Sequence, residues 1–156
     1  MGQPELQQPR TPAVSTEGPI GQRNVVWGWS TIGLGAFTGI ILMCWSFAGP
    51  FPPPPGFHDY GDLSRRMVRL AHIALFMLPI INILIGKDLD QLALSDKWKR
   101  ICSISGLIAM IGIPLGLTLG ALIWIHLKYV AMIPTYALLF SLCIMAVGKV
   151  RQHKPH

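Results

Sequence analysis

The sequence predicts an all-α integral membrane protein, in which four transmembrane helices form an up-down bundle with a polar N-terminal tail. Three observations carry this prediction. Of the 156 residues, 51% are hydrophobic and only 13% are charged, whereas a soluble domain has about 25% charged residues. Four apolar segments are long enough to cross a bilayer as helices, which takes roughly 20 residues. These segments lack the alternating pattern of the strands in a membrane β-barrel.

The four segments divide the chain into three parts. Residues 1–26 form a polar arm rich in proline and glutamine, which we expect to be disordered or bound to a partner. Residues 27–148 form the transmembrane domain, and residues 149–156 form a short basic tail. The predicted spans lie at about 27–48, 67–85, 101–127 and 130–147.

The first span has an alternative interpretation as a signal peptide. Ser46 and Ala48 lie near its end, in the pattern of small residues that precedes a signal-peptidase cleavage site. However, the polar leader is long, and the apolar run exceeds the roughly 7–15 residues of a usual signal core. We therefore expect this helix to be retained, while its cleavage stays an open alternative.

The distribution of basic residues predicts the orientation in the membrane. Nine of the 13 lysines and arginines lie in the two termini and in the connection between the second and third spans. The other four, on the opposite side, are Arg65, Arg66, Arg69 and Lys128. Because basic residues are enriched on the cytoplasmic side, we expect both termini to be cytoplasmic, in the inner membrane of a bacterial cell.

Small and polar residues in the spans mark surfaces for helix packing. Inside lipid, small residues allow the close backbone approach that holds helices together. Glycines at four-residue spacing occur at Gly35 and Gly39 in the first span and at Gly112, Gly116 and Gly120 in the third. These spans run in the same direction, so the two stripes can pack together within one chain or between chains. Asn82, deep in the second span, is expected to hydrogen-bond a neighbouring helix.

Ionisable side chains converge at the outer end of the predicted bundle. Arg69 and His72 lie on one face near the start of the second span. His126 is expected to end the third span, and Tyr136 to lie near the start of the fourth. Because successive spans alternate in direction, these residues fall at similar depth between helices two, three and four. Ionisable residues at such positions are candidates for a functional site.

Four interpretations of this group stay open. A b-type haem would take His72 and His126 as axial ligands, with Arg69 facing a propionate. A copper ion would bind the two histidines and a methionine thioether. A quinone or lipid headgroup would bind His72 and Tyr136, with Arg69 as the cationic partner. In the simplest interpretation, His72 bonds a neighbouring helix and His126 lies at the membrane interface.

The sequence offers no constellation for catalysis. No cluster of serine, cysteine and carboxylate residues suggests an activated nucleophile, and no glycine-rich phosphate loop is present. We therefore expect a non-enzymatic polytopic protein that serves as an accessory or scaffolding subunit of a larger membrane complex. The expected partners are the lipid bilayer and a membrane protein or a second copy of the chain, and not nucleic acid. The alternative is an electron-transfer subunit that binds b-type haem or a quinone.

Overall fold

The structure, a computed structural model, describes residues 18–45, 49–59 and 61–152, which form helices and connections with no strand among them. The helices are α1 (Gln22–Cys44), α2 (Leu63–Leu89), α3 (Asp96–Leu122) and α4 (Met132–Gln152), and a 3-10 helix over Ile125–Ala131 joins α3 to α4. Four segments, the last of which includes the 3-10 helix, are long and apolar enough to cross a membrane. The described part of the chain is all-helical, and its four long apolar segments indicate an integral membrane protein.

The helix boundaries differ from those of the apolar segments. α1 begins at Gln22, so the last residues of the predicted polar arm are helical. α3 ends at Leu122, and the prediction that its helix continues to His126 is wrong. Hydropathy locates the part of a chain that favours hydrocarbon, whereas helices begin and end where the backbone changes conformation. Most of the predicted arm lies outside the described residues, at residues 1–17. The same holds for the candidate cleavage site, at residues 46–48, and for half of the basic tail, at residues 153–156.

Helices that follow one another in sequence pack against one another. α1 packs chiefly on α2, α2 on α3, and α3 on α4 together with the 3-10 helix. α1 touches α3 only slightly. Most of α1 away from α2 is therefore exposed, and its buried residues are Asn24, Gly28, Thr31 and Gly35.

The start of α1, the connection between α2 and α3, and the end of α4 meet at one end of the molecule, here called the terminal end. The Gly21 amide donates to the Asp90 carboxylate, with 3.2 Å between N and Oδ2. Lys149 Nζ lies 2.9 Å from Asp88 Oδ2. The same end contains an apolar core formed by Ile85, Leu89, Leu92, Cys102 and Ile144.

The predicted glycine stripe of α1 faces α2. A Cβ atom at Gly35 would lie 3.1 Å from the Leu75 carbonyl oxygen, and one at Gly39 would lie 3.0 Å from Cε1 of His72. Larger side chains at these positions would separate the helices, so glycine is what permits the contact.

The glycine stripe of α3 faces the chain that follows it. A Cβ atom at Gly112 would lie 2.8 Å from Cβ of Pro134, and one at Gly116 would lie 3.0 Å from Cβ of Ala131. Gly120 is equally close to the backbone of Lys128. The stripes of α1 and α3 therefore do not pair within the chain, because α2 covers one of them and the 3-10 helix and α4 cover the other.

Candidate functional site

His72 lies between α2 and α1. Its Nδ1 is 3.2 Å from Thr38 Oγ1, and Thr38 donates its hydroxyl proton to the Gly35 carbonyl over 2.8 Å. With its own hydrogen directed at Gly35, the hydroxyl oxygen is left to accept a hydrogen bond from His72 Nδ1. The Cε1–Nε2 edge of the ring lies against Gly39, and Phe76 packs on the ring at a centroid distance of 5.2 Å. The contacts of His72 thus join α2 to α1.

The other predicted site residues have different surroundings. His126 lies in the 3-10 helix, where its ring contacts those of Trp124 and Tyr129 at centroid distances of 5.0 and 6.2 Å. His126 is exposed, and Tyr136 on α4 is 63% exposed. Arg69 is half-buried on α2. His126 therefore belongs to an aromatic cluster of the kind found at membrane interfaces, and His72 to a helix contact.

These positions bear on the cofactor interpretations. Iron or copper bound at His72 Nε2 would need space beside Gly39, where α1 now covers that edge of the ring. Binding of haem b, copper or a quinone by this group stays a prediction.

A buried hydrogen-bond network joins α1, α2 and α3. Asn24 Nδ2 donates to Asn82 Oδ1 over 2.8 Å and to the Ser103 carbonyl over 3.2 Å. Asn82 Nδ2 donates to the Gly106 carbonyl over 2.9 Å, and the Ser103 hydroxyl donates to Asn24 Oδ1. Both asparagines are fully buried. The prediction that Asn82 bonds a neighbouring helix is confirmed.

A second pair of buried polar groups joins α3 to α4. The Ser141 hydroxyl donates to the Cys102 carbonyl over 3.1 Å, and the Cys102 sulfur lies 3.3 Å from Ser141 Oγ. Gly106 lies between this pair and the asparagines, since a Cβ atom there would be 2.8 Å from Asn82 Oδ1 and 3.5 Å from Ser141 Oγ. Among the described residues, every buried side-chain nitrogen and oxygen has a hydrogen-bond partner. Apart from Thr31, whose hydroxyl bonds the Trp27 carbonyl of its own helix, the buried polar side chains thus bond neighbouring helices.

The part that Asn24 plays was not predicted from the sequence, because Asn24 falls within the polar arm. Asn24 stands beside Gln22 and Arg23, and hydropathy places all three outside the span. A signal was nevertheless present. Small or polar residues recur three and four positions apart from the arm into the helix, at Gly21, Asn24, Gly28, Thr31 and Gly35. This period is that of one packed helix face, and it begins before the apolar segment does.

The terminal end also contains an open cavity of about 480 Å³ between the start of α1 and the start of α3. Arg23 and Arg100 line it, together with Trp27 and the buried Ser103. The sequence analysis treated these arginines only as part of the charge bias. Their convergence depends on α1 beginning before the apolar segment, which hydropathy does not show.

The side of α1 opposite α2 forms a third feature, here called the outer face and defined by Trp29, Gly33, Phe37 and Ile40. Trp29 and Phe37 are 62% and 60% exposed. A Cβ atom at Gly33 would have no neighbour within 4 Å in the part of the chain that the structure describes. Four-residue spacing puts Gly33 between the two aromatic rings, so the outer face has a notch with an aromatic residue on each side.

The three features differ in what they leave available to a ligand or partner. The side chains of the buried network bond one another. The cavity is open, and the outer face is exposed along several helical turns. Comparison with protein-family models, curated proteins and solved structures finds no match for this chain.

Proposed function

We propose that the protein is a non-enzymatic scaffolding subunit of a larger membrane complex, and that the outer face of α1 binds a transmembrane helix of a partner protein. The observation that carries the proposal is the notch at Gly33 between the exposed rings of Trp29 and Phe37. Helices associate in lipid where small residues let their backbones approach, and Gly33 offers such a position on a side of α1 that the described residues leave uncovered.

The buried network supports this role because it fixes the orientation of α1. Asn24 holds the start of the helix to α2 and α3, and the contact between Thr38 and His72 holds a position four turns further along. A helix held at both positions presents its outer face in one orientation. Binding to a preorganised surface costs less ordering entropy than binding to a mobile one.

The proposal includes an up-down topology with both termini in the cytoplasm. Contacts support the topology, since Gly21, just before α1, approaches Gly86 of α2, Gly28 of α1 approaches Pro79, and Gly39 approaches His72. The order of the residues reverses between the two helices, as in an antiparallel pair. The nine basic residues in the two termini and in the connection between α2 and α3 support the orientation. The proposed location is a bacterial inner membrane.

A matched pair of substitutions tests the scaffold. Gly33→Leu fills the notch on the outer face, whereas Ala146→Leu places the same side chain at an exposed position on α4. We expect native membranes extracted in mild detergent to contain the wild-type chain and the Ala146→Leu variant in a complex larger than the monomer. Gly33→Leu should release a folded monomer. The measurement is size in native electrophoresis, with thermal unfolding as the check on folding.

Photo-crosslinking identifies the partner. A photoreactive amino acid in place of Phe37 should yield one discrete protein adduct, and the same probe in place of Leu139 on α4 should yield lipid adducts only. An adduct between two copies of the chain would identify a homo-oligomer built on the same face. Migration of the wild-type chain as a free monomer, without adducts at Phe37, would refute the scaffold.

A further inference from the structure

The cavity at the terminal end combines two cations with an apolar wall. Arg23 lies in the first turn of α1, and Arg100 lies in the second turn of α3. Both line the cavity, and Trp27, Val26 and Ile104 supply apolar surface beside them. The cavity is therefore suited to an anion attached to an apolar group.

An apolar groove continues from this cavity along α3. Its volume is about 340 Å³, and Arg23 and Ile104 line both the cavity and the groove. The rest of the groove is formed by Leu107, Ile108, Ile111 and Gly112. From Ile104 to Gly112 a helix rises about 12 Å, which compares with about 15 Å for half of the hydrocarbon core. The groove thus has roughly the depth of one leaflet.

We propose that the cavity and the groove together bind one anionic phospholipid, with the phosphate at Arg23 and Arg100 and an acyl chain along the groove. Guanidinium groups match phosphate oxygens in charge and geometry. Basic pockets between transmembrane helices on the cytoplasmic side are known to take anionic headgroups. A zwitterionic lipid offers less net charge to the two arginines, so the site selects for the anionic headgroup.

This lipid would join two helices that scarcely touch each other. α1 and α3 contact only slightly, and their link at this level is the bond between Asn24 and Ser103. A phosphate bound by one arginine from each helix adds a second link at the membrane surface. The inference does not depend on the partner proposed for the outer face, because Gly33 and Phe37 line neither the cavity nor the groove.

Native mass spectrometry of the full chain tests the site. The purified protein in mild detergent is titrated with dioleoyl phosphatidylglycerol and, separately, with dioleoyl phosphatidylcholine. We expect one phosphatidylglycerol to bind in preference to phosphatidylcholine. Substitution of both arginines, R23Q with R100Q, should weaken phosphatidylglycerol binding about 30-fold, since each basic residue near an anionic headgroup contributes about fivefold.

The matched control removes the same charge away from the cavity. Lys97 and Arg151 are exposed near the ends of α3 and α4 and do not line the cavity. K97Q with R151Q should leave the affinity for phosphatidylglycerol within about twofold of wild type, because a headgroup in the cavity contacts neither residue. An equal loss in both double variants would show general attraction to the basic surface and would overturn the site.

A third variant tests the groove without changing charge. Ile108→Trp places a larger side chain in the groove and should weaken binding of phosphatidylglycerol, while leaving any competition by inorganic phosphate at the arginines unchanged. If millimolar inorganic phosphate displaces the lipid completely and Ile108→Trp has no effect, the site takes a free anion and the lipid assignment is wrong. Equal binding of the two lipids to the wild-type chain would also reject the lipid assignment. This outcome does not depend on whether the arginine variant folds.

Discussion

Asn82 is central to the buried network, because its side chain bonds both α1 and α3, just as the side chain of Asn24 bonds both α2 and α3. The Asn82 amide oxygen accepts from Asn24, and its amide nitrogen donates to the Gly106 carbonyl. In lipid, no water enters to replace a lost partner, so removing one member leaves buried groups unpaired.

We predict that Asn82→Leu destabilises the protein by about 1–3 kcal/mol, the cost of leaving buried hydrogen-bonding groups without a partner. The measurement is reversible unfolding in mixed micelles. Ser30→Ala is the control, because the Ser30 hydroxyl is exposed and bonds the Val26 carbonyl of its own helix. Equal stability of wild type and Asn82→Leu would mean that the network contributes nothing to the fold.

The role of His72 separates the helix-contact interpretation from the cofactor interpretation. If His72 only bonds Thr38, we predict that His72→Gln costs about 0.6 kcal/mol, the mean for such bonds between membrane helices. The absorption spectrum of the protein purified from haem-replete cells is the decisive measurement. A Soret band that disappears in His72→Gln and in His126→Gln would establish the haem site instead.

A hydrogen bond between helices could be predicted where a polar side chain interrupts an apolar run, as Asn82 does. It was not predictable for Asn24, because the network forms only when α1 extends into the polar sequence and meets the ends of two other helices. The convergence of Arg23 and Arg100 escaped prediction for the same reason. Charge counting gives the side of the membrane on which a residue lies, but not its neighbours around the bundle.

At the level of the element, α1 has an unusual packing surface that consists almost entirely of small residues. Gly21, Gly28 and Gly35 recur every seven residues and approach the α2 backbone at Gly86, at Pro79 and at Leu75. A seven-residue repeat on one face is the pattern that keeps two helices in contact with a left-handed crossing. Here the contact is between backbones instead of between large side chains.

The break between α3 and α4 was not visible in the hydropathy. The sequence from Leu119 to Ala131 is apolar apart from His126 and Lys128, yet the helix stops at Leu122. Trp124 is extended, with φ −154° and ψ 124°, and the chain then forms the 3-10 helix. Gly116 and Gly120 make room for that helix against α3, so the break is set by tertiary packing.

We predict that Gly116→Leu costs about 1–3 kcal/mol, as overpacking usually does, because its side chain would enter the space that Ala131 occupies. Gly33→Leu is the matched control, since it is the same substitution within a membrane helix at a position with open space around it. Thermal unfolding of the purified monomers is the measurement. A melting temperature for Gly116→Leu equal to that of Gly33→Leu would show that the 3-10 helix does not rest on α3.

At the level of the whole molecule, composition and segment length were enough to predict four helices and their all-α class. The order in which the helices pack could not be predicted. Both α1 and α3 have glycine stripes, and the spacing of the glycines does not determine which neighbouring helix each stripe contacts. In the structure, α2 separates the two glycine stripes and forms hydrogen bonds to both α1 and α3.

We predict that the connection between α2 and α3 faces the cytoplasm. Single cysteines at His58 and at Gln91, in a chain whose three native cysteines are replaced, report the two sides, and both positions are exposed. An impermeant maleimide applied to intact cells should label the cysteine at His58, and should label that at Gln91 only after permeabilisation. Phe57 is unsuitable because it is 5% exposed. The reverse pattern of labelling would invert the topology.

The burial of Asn24 and Thr31 on α1 has a consequence for how the protein enters the bilayer. Alone in lipid, α1 would expose the Asn24 amide to the surrounding chains, whereas the folded protein pairs it with Asn82 and Ser103. Polar side chains lower the tendency of a segment to leave the translocon by itself. We therefore expect α1 to remain at the translocon until α2 emerges from the ribosome. The two helices then enter the membrane together as one helical hairpin.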